Sequence, residues 1–542
     1  MGGLRGRTRK GGESERAWRR SHLPELQMAR PHGQASLYAL RGTRHRPPCS
    51  RTAAEDRHHR CRGSPHLPCL PLHERPAHHR REEARQSRPR RALRPPKGDA
   101  ELPLEGPARR CSRGGSVRLT MVLVAATPDR DPFHALLALA ERHGDVAPYR
   151  SGREEAFLVN HPDLVRHVLA DNAANYRKDT FINERFRVGV ADGLLTSEGA
   201  VWRRDRRLMQ PAFHRDRLAA LASGIVAEVA TVCDRWDGIA RSGRIVDMTA
   251  EMGTLTLRLT ARVLFGADIS GPARRMGRLI SEAMAHLPSP DNAGFRAAKQ
   301  RVEALADDVI ERRRTTASGG DLLSLLLEAR DEETGQGMSA QHLRDQVITL
   351  LIAGYETTAN ALSWTWYLLS QNPEAMASLQ AEVTNGLGDA GPESGTLRQL
   401  PWTRMVVEES LRLYPPAWIL GRRALMDDRL GDRRLPAGSV VAISPYVLHR
   451  HPVFWEQPDR FQPSRFSPER IAVRHRFSYL PFGAGPRLCI GHNLAMMEAQ
   501  LALATLAKGF SPRLVPGAVV IPERRFTLRP RGGLPMTIHR SG

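Results

Sequence analysis

Cys489 stands in the run Phe482-Gly483-Ala484-Gly485-Pro486-Arg487-Leu488-Cys489-Ile490-Gly491, and its neighbours suit it to bind a metal. The thiolate, not the thiol, is the ligand form of cysteine. A helical pattern rich in Leu, Ala and Met follows directly, over 492–506. A cysteine at a helix N-terminus meets unpaired backbone N–H groups and the positive end of the dipole, and both favour the thiolate. Gly485 and Gly491 remove side chains where a backbone turns sharply or lies close to a flat ligand. Phe482 is placed to shield the sulfur from water, and Arg487 to pair with a carboxylate.

A second cluster lies upstream. Val347, Leu350, Leu351, Ala353 and Leu362 give 345–370 the apolar pattern of a buried helix. Ala353-Gly354-Tyr355-Glu356-Thr357-Thr358 interrupts it with a glycine, an acid and two β-branched residues, against helix propensity. Such conflicts mark functional sites. Gly354 would admit a ligand to the backbone, and a Thr hydroxyl would compete for a helix carbonyl and open a kink. Read alone, Glu356 has a second, less favoured reading as a buried acid paired with a distant arginine. Glu409 and Arg412 lie three apart on a helix that must end before Pro415-Pro416. Trp202 and Arg206 share a helix face at i, i+4, which taken singly is a basic amphipathic helix with a core tryptophan.

In this order the motifs resemble those of the cytochrome P-450 monooxygenases. Phe482-x-x-Gly485-x-Arg487-x-Cys489-x-Gly491 resembles the family's haem-binding loop, and 353–358 its oxygen-binding helix. Glu409-x-x-Arg412, with Arg465 of Phe461-Gln462-Pro463-Ser464-Arg465-Phe466, resembles its Glu–Arg–Arg network. Trp202-x-x-x-Arg206 is similar to its propionate-binding helix. The resemblance covers roughly residues 131–540. It implies Cys489 as the axial ligand of haem b iron, Thr357 bonding dioxygen and Glu356 relaying protons. It also implies that Trp202, Arg206, Arg422 and Arg487 hold the haem propionates, with Arg423 beside Arg422 open to the same role.

The activity so implied inserts one oxygen atom of O2 into a hydrophobic small molecule, such as a fatty acid, terpenoid or other secondary metabolite, and reduces the other to water. Two other classes share the haem-thiolate loop: isomerases or dehydratases that need no external electrons, and non-catalytic haem or ligand-binding proteins. The first usually lack the acid–Thr pair, which is intact here as Glu356-Thr357. No Gly-x-Gly-x-x-Gly follows a strand, so electrons are expected from a separate ferredoxin and ferredoxin reductase. Arg204, Arg207, Arg474 and Arg476 are candidates to steer an acidic partner. Phe181, Phe186, Leu195, Ala353, Ala417, Trp418, Ile419 and Leu534 are candidate walls of an apolar pocket.

The elements that must position these residues read as mainly α with a small β region, the cytochrome P-450 fold as a single domain over 121–542. Helical spacing marks 135–142, 164–170, 218–236, 252–265 and 297–313. Residues 144–150 and 156–159 read as strands joined by a turn, and Ala437-Gly438 and Gly532-Gly533 as hairpin-like turns.

Residues 1–120 differ. They carry 28 Lys+Arg against 11 Asp+Glu, a net +17 of the chain's +23, and their only aromatic rings besides histidine are Trp18 and Tyr38. Such a segment buries too little apolar surface to order itself, so it reads as a disordered basic extension or a mis-called start before Met121. Cys49, Cys61, Cys69 and Cys111 lie here without a compact Cys-x2-Cys pair, which argues against zinc. The basic balance leaves nucleic-acid or acidic-surface binding by this extension open as the less favoured reading, while the remaining residues, at a net +6, are ordinary for a soluble enzyme. No run of 18 apolar residues and no leader pattern occurs, so the expectation is a cytoplasmic protein without a membrane span.

Overall fold

The apolar spacing in the sequence becomes helix over about half of the described residues. A computed structural model describes residues 132–541 apart from 152–153, most of 267–292, 316–320, 332–334 and 388–394, together with Val122 and Leu123. The basic extension expected at 1–120 lies outside the described residues. Along the chain the helices are α1 (Pro132–His143), α2 (Pro162–Arg166), α3 (Phe181–Val190), α4 (Gly199–Met209), α5 (Arg215–Ser242), α6 (Met248–Phe265), α7 (Ala293–Thr315) and α8 (Leu322–Glu328). They continue as α9 (Ala340–Gln371), α10 (Pro373–Leu387), α11 (Pro401–Leu413), α12 (Pro445–Leu448), α13 (Pro468–Val473) and α14 (His492–Gly509). Side-chain caps start several of them. Asp247 accepts from the Thr249 amide at α6, Asp321 from Ser324 at α8, and Ser339 from His342 at α9. Gly243 and Gly266, both at φ +62°, end α5 and α6 as left-handed caps.

The principal core lies where α5, α6, α9, α10 and α14 meet, around the fully buried Trp236 and Trp366. α6 and α9 pack more extensively than any other pair of helices among the described residues. Gly354 allows this approach: a Cβ there would stand 3.0 Å from Thr260 Cγ2. The expectation that Gly354 opens the backbone to a ligand is therefore corrected, because its bare side receives a neighbouring helix. The Thr256 hydroxyl, 3.1 Å from the Tyr355 carbonyl, ties the same turn.

The strands expected at 144–150 and 156–159 are β2 (Val146–Ser151) and β3 (Glu154–Val159), antiparallel with Val146 opposite Val159. They join β1 (Val122–Leu123), β4 (Tyr176–Arg177), β6 (Leu420–Ala424) and β9 (Val440–Ile443) in a six-stranded sheet of order β1-β2-β3-β9-β6-β4. A three-stranded sheet has the order β10 (Phe510–Leu514), β13 (Pro535–Arg540), β5 (Ile245–Asp247). Two hairpins remain, β7 (Asp428–Leu430) with β8 (Arg433–Leu435), and β11 (Pro522–Arg524) with β12 (Leu528–Pro530). Gly438 (φ +84°) and Gly532-Gly533 (φ +74° and +96°) do turn the chain. The strands they connect, however, belong to different sheets, so neither turn closes a hairpin. Turn chemistry fixes a reversal of direction; the strand's partner is chosen by tertiary packing.

Two polar devices hold the site elements to this frame. Asp205 of α4, fully buried, bonds His342 (2.9 Å) and Gln346 (2.9 Å) of α9, and Gln346 also accepts from the Leu194 amide. Asp428 accepts from Tyr176 (2.6 Å), His167 (2.9 Å) and Asn172 (3.0 Å), clamping the π-helical turn His167–Asp171.

Candidate active site

The Cys489 loop is built from its own backbone and braced from three sides. The Cys489 amide donates to the Phe482 carbonyl at 3.0 Å, and Leu488 to Gly485. His492, the first residue of α14, bonds the Cys489 carbonyl at 2.9 Å. Gly485 has φ +68°, and a Cβ on it would fall 1.8 Å from the Leu169 carbonyl oxygen of the π turn. Its requirement for glycine is thus a backbone packed on a backbone, beyond the turn itself. Gly491 caps α14 at an ordinary φ of −89°, and a Cβ on it would make an ordinary van der Waals contact with Phe213 at 3.7 Å.

The Glu–Arg–Arg network forms as the resemblance implied. Glu409 and Arg412 are both fully buried and doubly bonded, at 2.6 and 2.8 Å, with Arg465 at 3.4 Å. Arg412 also donates to the carbonyls of His449, Pro458 and Arg460. His449 accepts the Leu480 amide on Nε2 (2.8 Å) and faces the Arg412 carbonyl with Nδ1, which defines a neutral ring. Burial holds its pKa well below the ordinary value. One chain of bonds therefore runs from α11 to the residue two before Phe482.

Around Cys489 the structure gathers cations. Arg206 donates to the Leu488 carbonyl at 2.8 Å. Arg487 pairs with Glu198 (2.7 Å), donates to the Ser197 carbonyl and lies 4.1 Å over the Trp202 ring. Trp202 and Arg206 so serve one face of α4, as their spacing implied. Lys178, which no sequence pattern flagged, donates to the Leu195 carbonyl at 2.6 Å. Its pKa is pulled well below the ordinary value by burial first, then by Arg422 and Arg487. Arg422, 8 % exposed, donates to its own neighbour's carbonyl, and burial followed by Arg487 lowers it to about 10. Arg423 instead bonds the Asp179 and Gly438 carbonyls.

The thiol itself departs from the expectation. Crowding around Cys489 raises its pKa, outweighing the Gly491 amide, Arg206 and Lys178, all of which lower it. The helix end alone does not make the thiolate; a metal's charge must add to it. Among the described residues no group of three or more His, Cys, Asp or Glu could hold a bare metal ion. Among the described residues the basic side chains Lys178, Arg206, Arg422 and Arg487 stand near the loop with Glu198 paired to Arg487, a lining that suits an anionic group. The donor set fits haem.

In α9, residues 353–357 are half-buried between buried neighbours on both sides. The Thr357 hydroxyl donates to the Ala353 carbonyl at 2.6 Å, the competition for a helix carbonyl that its type suggests, and the helix continues through it. The Glu356 carboxylate accepts from Thr527 at 2.5 Å, and burial raises its pKa against the pull of Thr527, Arg529 and Arg525. Among the described residues its direct partner is Thr527, and Arg529 and Arg525 act on it through their charge alone. Thr527 was invisible in the sequence, lying 171 residues away in an arginine-rich stretch.

The expected pocket walls divide. Phe186 and Leu195 are half-buried, and Phe186 meets Phe526 edge to face at 4.5 Å. Phe181 is exposed, and Ala353, Ala417 and Ile419 are half-buried. Trp418 packs on Phe133 at 5.6 Å. Leu534 is fully buried beside Asp247 and is removed from the list. Arg474 is likewise removed from the docking candidates, because its guanidinium stacks on Phe466 and Trp455 and bonds the Arg465 carbonyl. Arg207 and Arg476 are exposed, and Arg204 is half-buried beside Asp205.

Comparison with known proteins agrees with this geometry. The Cytochrome P450 family model matches residues 114–534. The chain is 41 % identical over 416 residues to cyclooctatin synthase of Streptomyces melanosporofaciens, covering 74 % of this chain and 89 % of the relative. It is 34 % identical to pentalenene oxygenase of Streptomyces avermitilis, covering 74 % and 91 %. The crystal structure of the cytochrome P450DA heme domain superposes with a TM-score of 0.70 at 27 % identity, covering 76 % of this chain and 93 % of that one. The protein belongs to the cytochrome P450 family. It is a haem-thiolate monooxygenase, and among its described residues no helix is long and apolar enough to cross a membrane.

Proposed function

We propose that the protein hydroxylates a cyclic terpenoid hydrocarbon or its alcohol, using haem b with Cys489 as the iron ligand and electrons from a ferredoxin and its reductase in the cytoplasm. The observation that carries the haem assignment is the basic cluster at the Cys489 loop: Arg206 and Lys178 act on the cysteine, Arg422 and Arg487 act on Lys178, and Glu198 pairs with Arg487. The haem supplies oxygen activation and electron transfer; the protein supplies the ligand, the anchoring, the protons and the apolar cavity.

Each residue's part follows from its surroundings. Arg487, Arg422 and Lys178 hold the propionates as charge-assisted donors. Trp202 supports Arg487 from below, and Arg206 fixes the Leu488 carbonyl and so the loop. Phe482, Gly485 and Gly491 shape the loop that presents the sulfur. Glu356 holds a proton readily because burial raises its pKa, and Thr357 offers a hydroxyl on the next residue. Phe186 and Phe526 supply aromatic surface toward an apolar guest. The substrate class is supported by relatives whose names specify pentalenene and cyclooctat-9-en-7-ol.

The test is spectroscopic. The reduced carbon monoxide complex should show the long-wavelength Soret band of thiolate-ligated haem, and Cys489→Ala should lose it. Cyclic terpenoid hydrocarbons and alcohols should shift the ferric Soret band, while straight-chain fatty acids should not. The reverse preference would overturn the substrate assignment, and a retained band in Cys489→Ala the ligand.

A further inference from the structure

We propose that Thr527 is a positioning residue for Glu356: its hydroxyl, backed by the Asn360 amide, pins one carboxylate oxygen so that the other loads and releases the proton. The inference rests on the proton role proposed above for Glu356.

Thr527 lies at the turn between β11 and β12 and is 2 % exposed. Its Oγ1 stands 2.5 Å from Glu356 Oε1 and 2.8 Å from Asn360 Nδ2. A threonine hydroxyl has one proton to give and lone pairs to receive. With the Asn360 N–H on a lone pair, the hydroxyl proton is directed to Glu356. Asn360 is four residues after Glu356 on α9, hence on the same face, so both partners of Thr527 come from one helix. This makes Oε1 a permanent acceptor. Oε2 is left as the oxygen that takes up and gives away a proton.

The turn is held firmly enough to do this. Trp364 donates from Nε1 to the Leu528 carbonyl at 3.2 Å, the Leu528 amide to the Pro416 carbonyl at 3.0 Å, and Trp418 to the Arg525 carbonyl at 3.2 Å. The charged groups acting on Glu356 are Arg525 and Arg529 of the same hairpin, and each is partly neutralised by Glu523 at 3.0 Å. With both arginines shared in this way, Thr527 is the strongest single influence opposing the rise caused by burial. Its removal leaves burial less opposed.

Infrared pH titration of the ferric holoprotein reads this directly. The protonated-carboxyl band of Glu356 is identified by its loss in Glu356→Gln. Thr527→Val should move the midpoint of that band upward by about one pH unit, the loss of one hydrogen bond to a charged group. Thr527→Ser should keep the parent midpoint. Asn360→Ala, which spares the hydroxyl but frees its orientation, should move the midpoint the same way by less, and serves if Thr527→Val fails to fold. During turnover, Thr527→Val should release several-fold more hydrogen peroxide per NADPH than Thr527→Ser. A parental midpoint in Thr527→Val, or an equal shift in Thr527→Ser, overturns the inference. Parental peroxide release in Glu356→Gln overturns the proton role of Glu356 itself, and is read separately from the band midpoint.

Discussion

Glu498 offers a quantitative test of how the helix behind the haem loop is held. It is 3 % exposed in α14, nine residues after Cys489, and its Oε1 has no hydrogen-bond partner. Burial alone pushes its carboxyl up to about 8. In the unfolded chain it titrates near 4.5. Between those values the folded state binds more protons than the unfolded one, so stability falls as pH rises through that window. Each pH unit of the difference corresponds to about 1.4 kcal/mol, which makes the total loss on the order of 3–5 kcal/mol. Glu498→Gln keeps the shape and removes the titration. Its amide brings new donors to satisfy, but that cost is the same at every pH. The assay is urea unfolding of the holoprotein at fixed haem concentration from pH 5 to pH 9, parent beside variant. Relative to the parent, the variant should gain stability steadily as pH rises and level off above about pH 8 to 9. All other titrating groups cancel in the comparison. A stability difference that stays constant across the range would mean that the Glu498 carboxylate is solvated or paired, and the reasoning would fail.

Two further outcomes are expected. Lys178→Met and Arg422→Gln should each speed haem loss to an excess of a haem-scavenging apoprotein by roughly tenfold to a hundredfold, the worth of one charge-assisted hydrogen bond; unchanged loss rates would detach that residue from the propionates. Arg203→Glu with Arg207→Glu on the exposed side of α4 should slow ferredoxin-driven reduction several-fold at low salt, with the gap closing as salt rises, while substrate-induced Soret shifts stay intact. A wild-type rate and salt slope would place the partner on another surface.

The parts of the site that could be read from the sequence are those whose residues lie within one turn or loop of each other. Cys489 and its glycines, Glu409 with Arg412, and Trp202 with Arg206 are spaced by the geometry of a single element, so the chain itself displays the constellation. Lys178 and Thr527 reach Cys489 and Glu356 only through tertiary folding, and neither carries a local signal. Gly354 shows a different limit. Its identity signalled a close approach, correctly, but not whether helix or ligand approaches, which depends on Thr260. The Cys489 thiol shows a related limit: the helix-end amides that lower its pKa are visible in the sequence, whereas the burial that outweighs them exists only in the fold. Arg474 looked like a free surface cation because nothing nearby in sequence showed the rings of Trp455 and Phe466 waiting to take it.

Arg412 has a consequence for moving this chemistry to other scaffolds. Its guanidinium holds Glu409 on its own helix and three backbone carbonyls from 449, 458 and 460 at once, while His449 passes the constraint on to Leu480. The shape of the thiolate loop is therefore stored outside the loop. Grafting 482–491 into a foreign host would carry the ligand but leave behind the instructions for where to put it. The smallest transplantable module is discontinuous: the Pro401–Leu413 helix, the 449–480 stretch and the loop, with the Leu169 turn as a fourth piece against which Gly485 seats. A host that supplied only the cysteine would gain a thiol rather than a haem site.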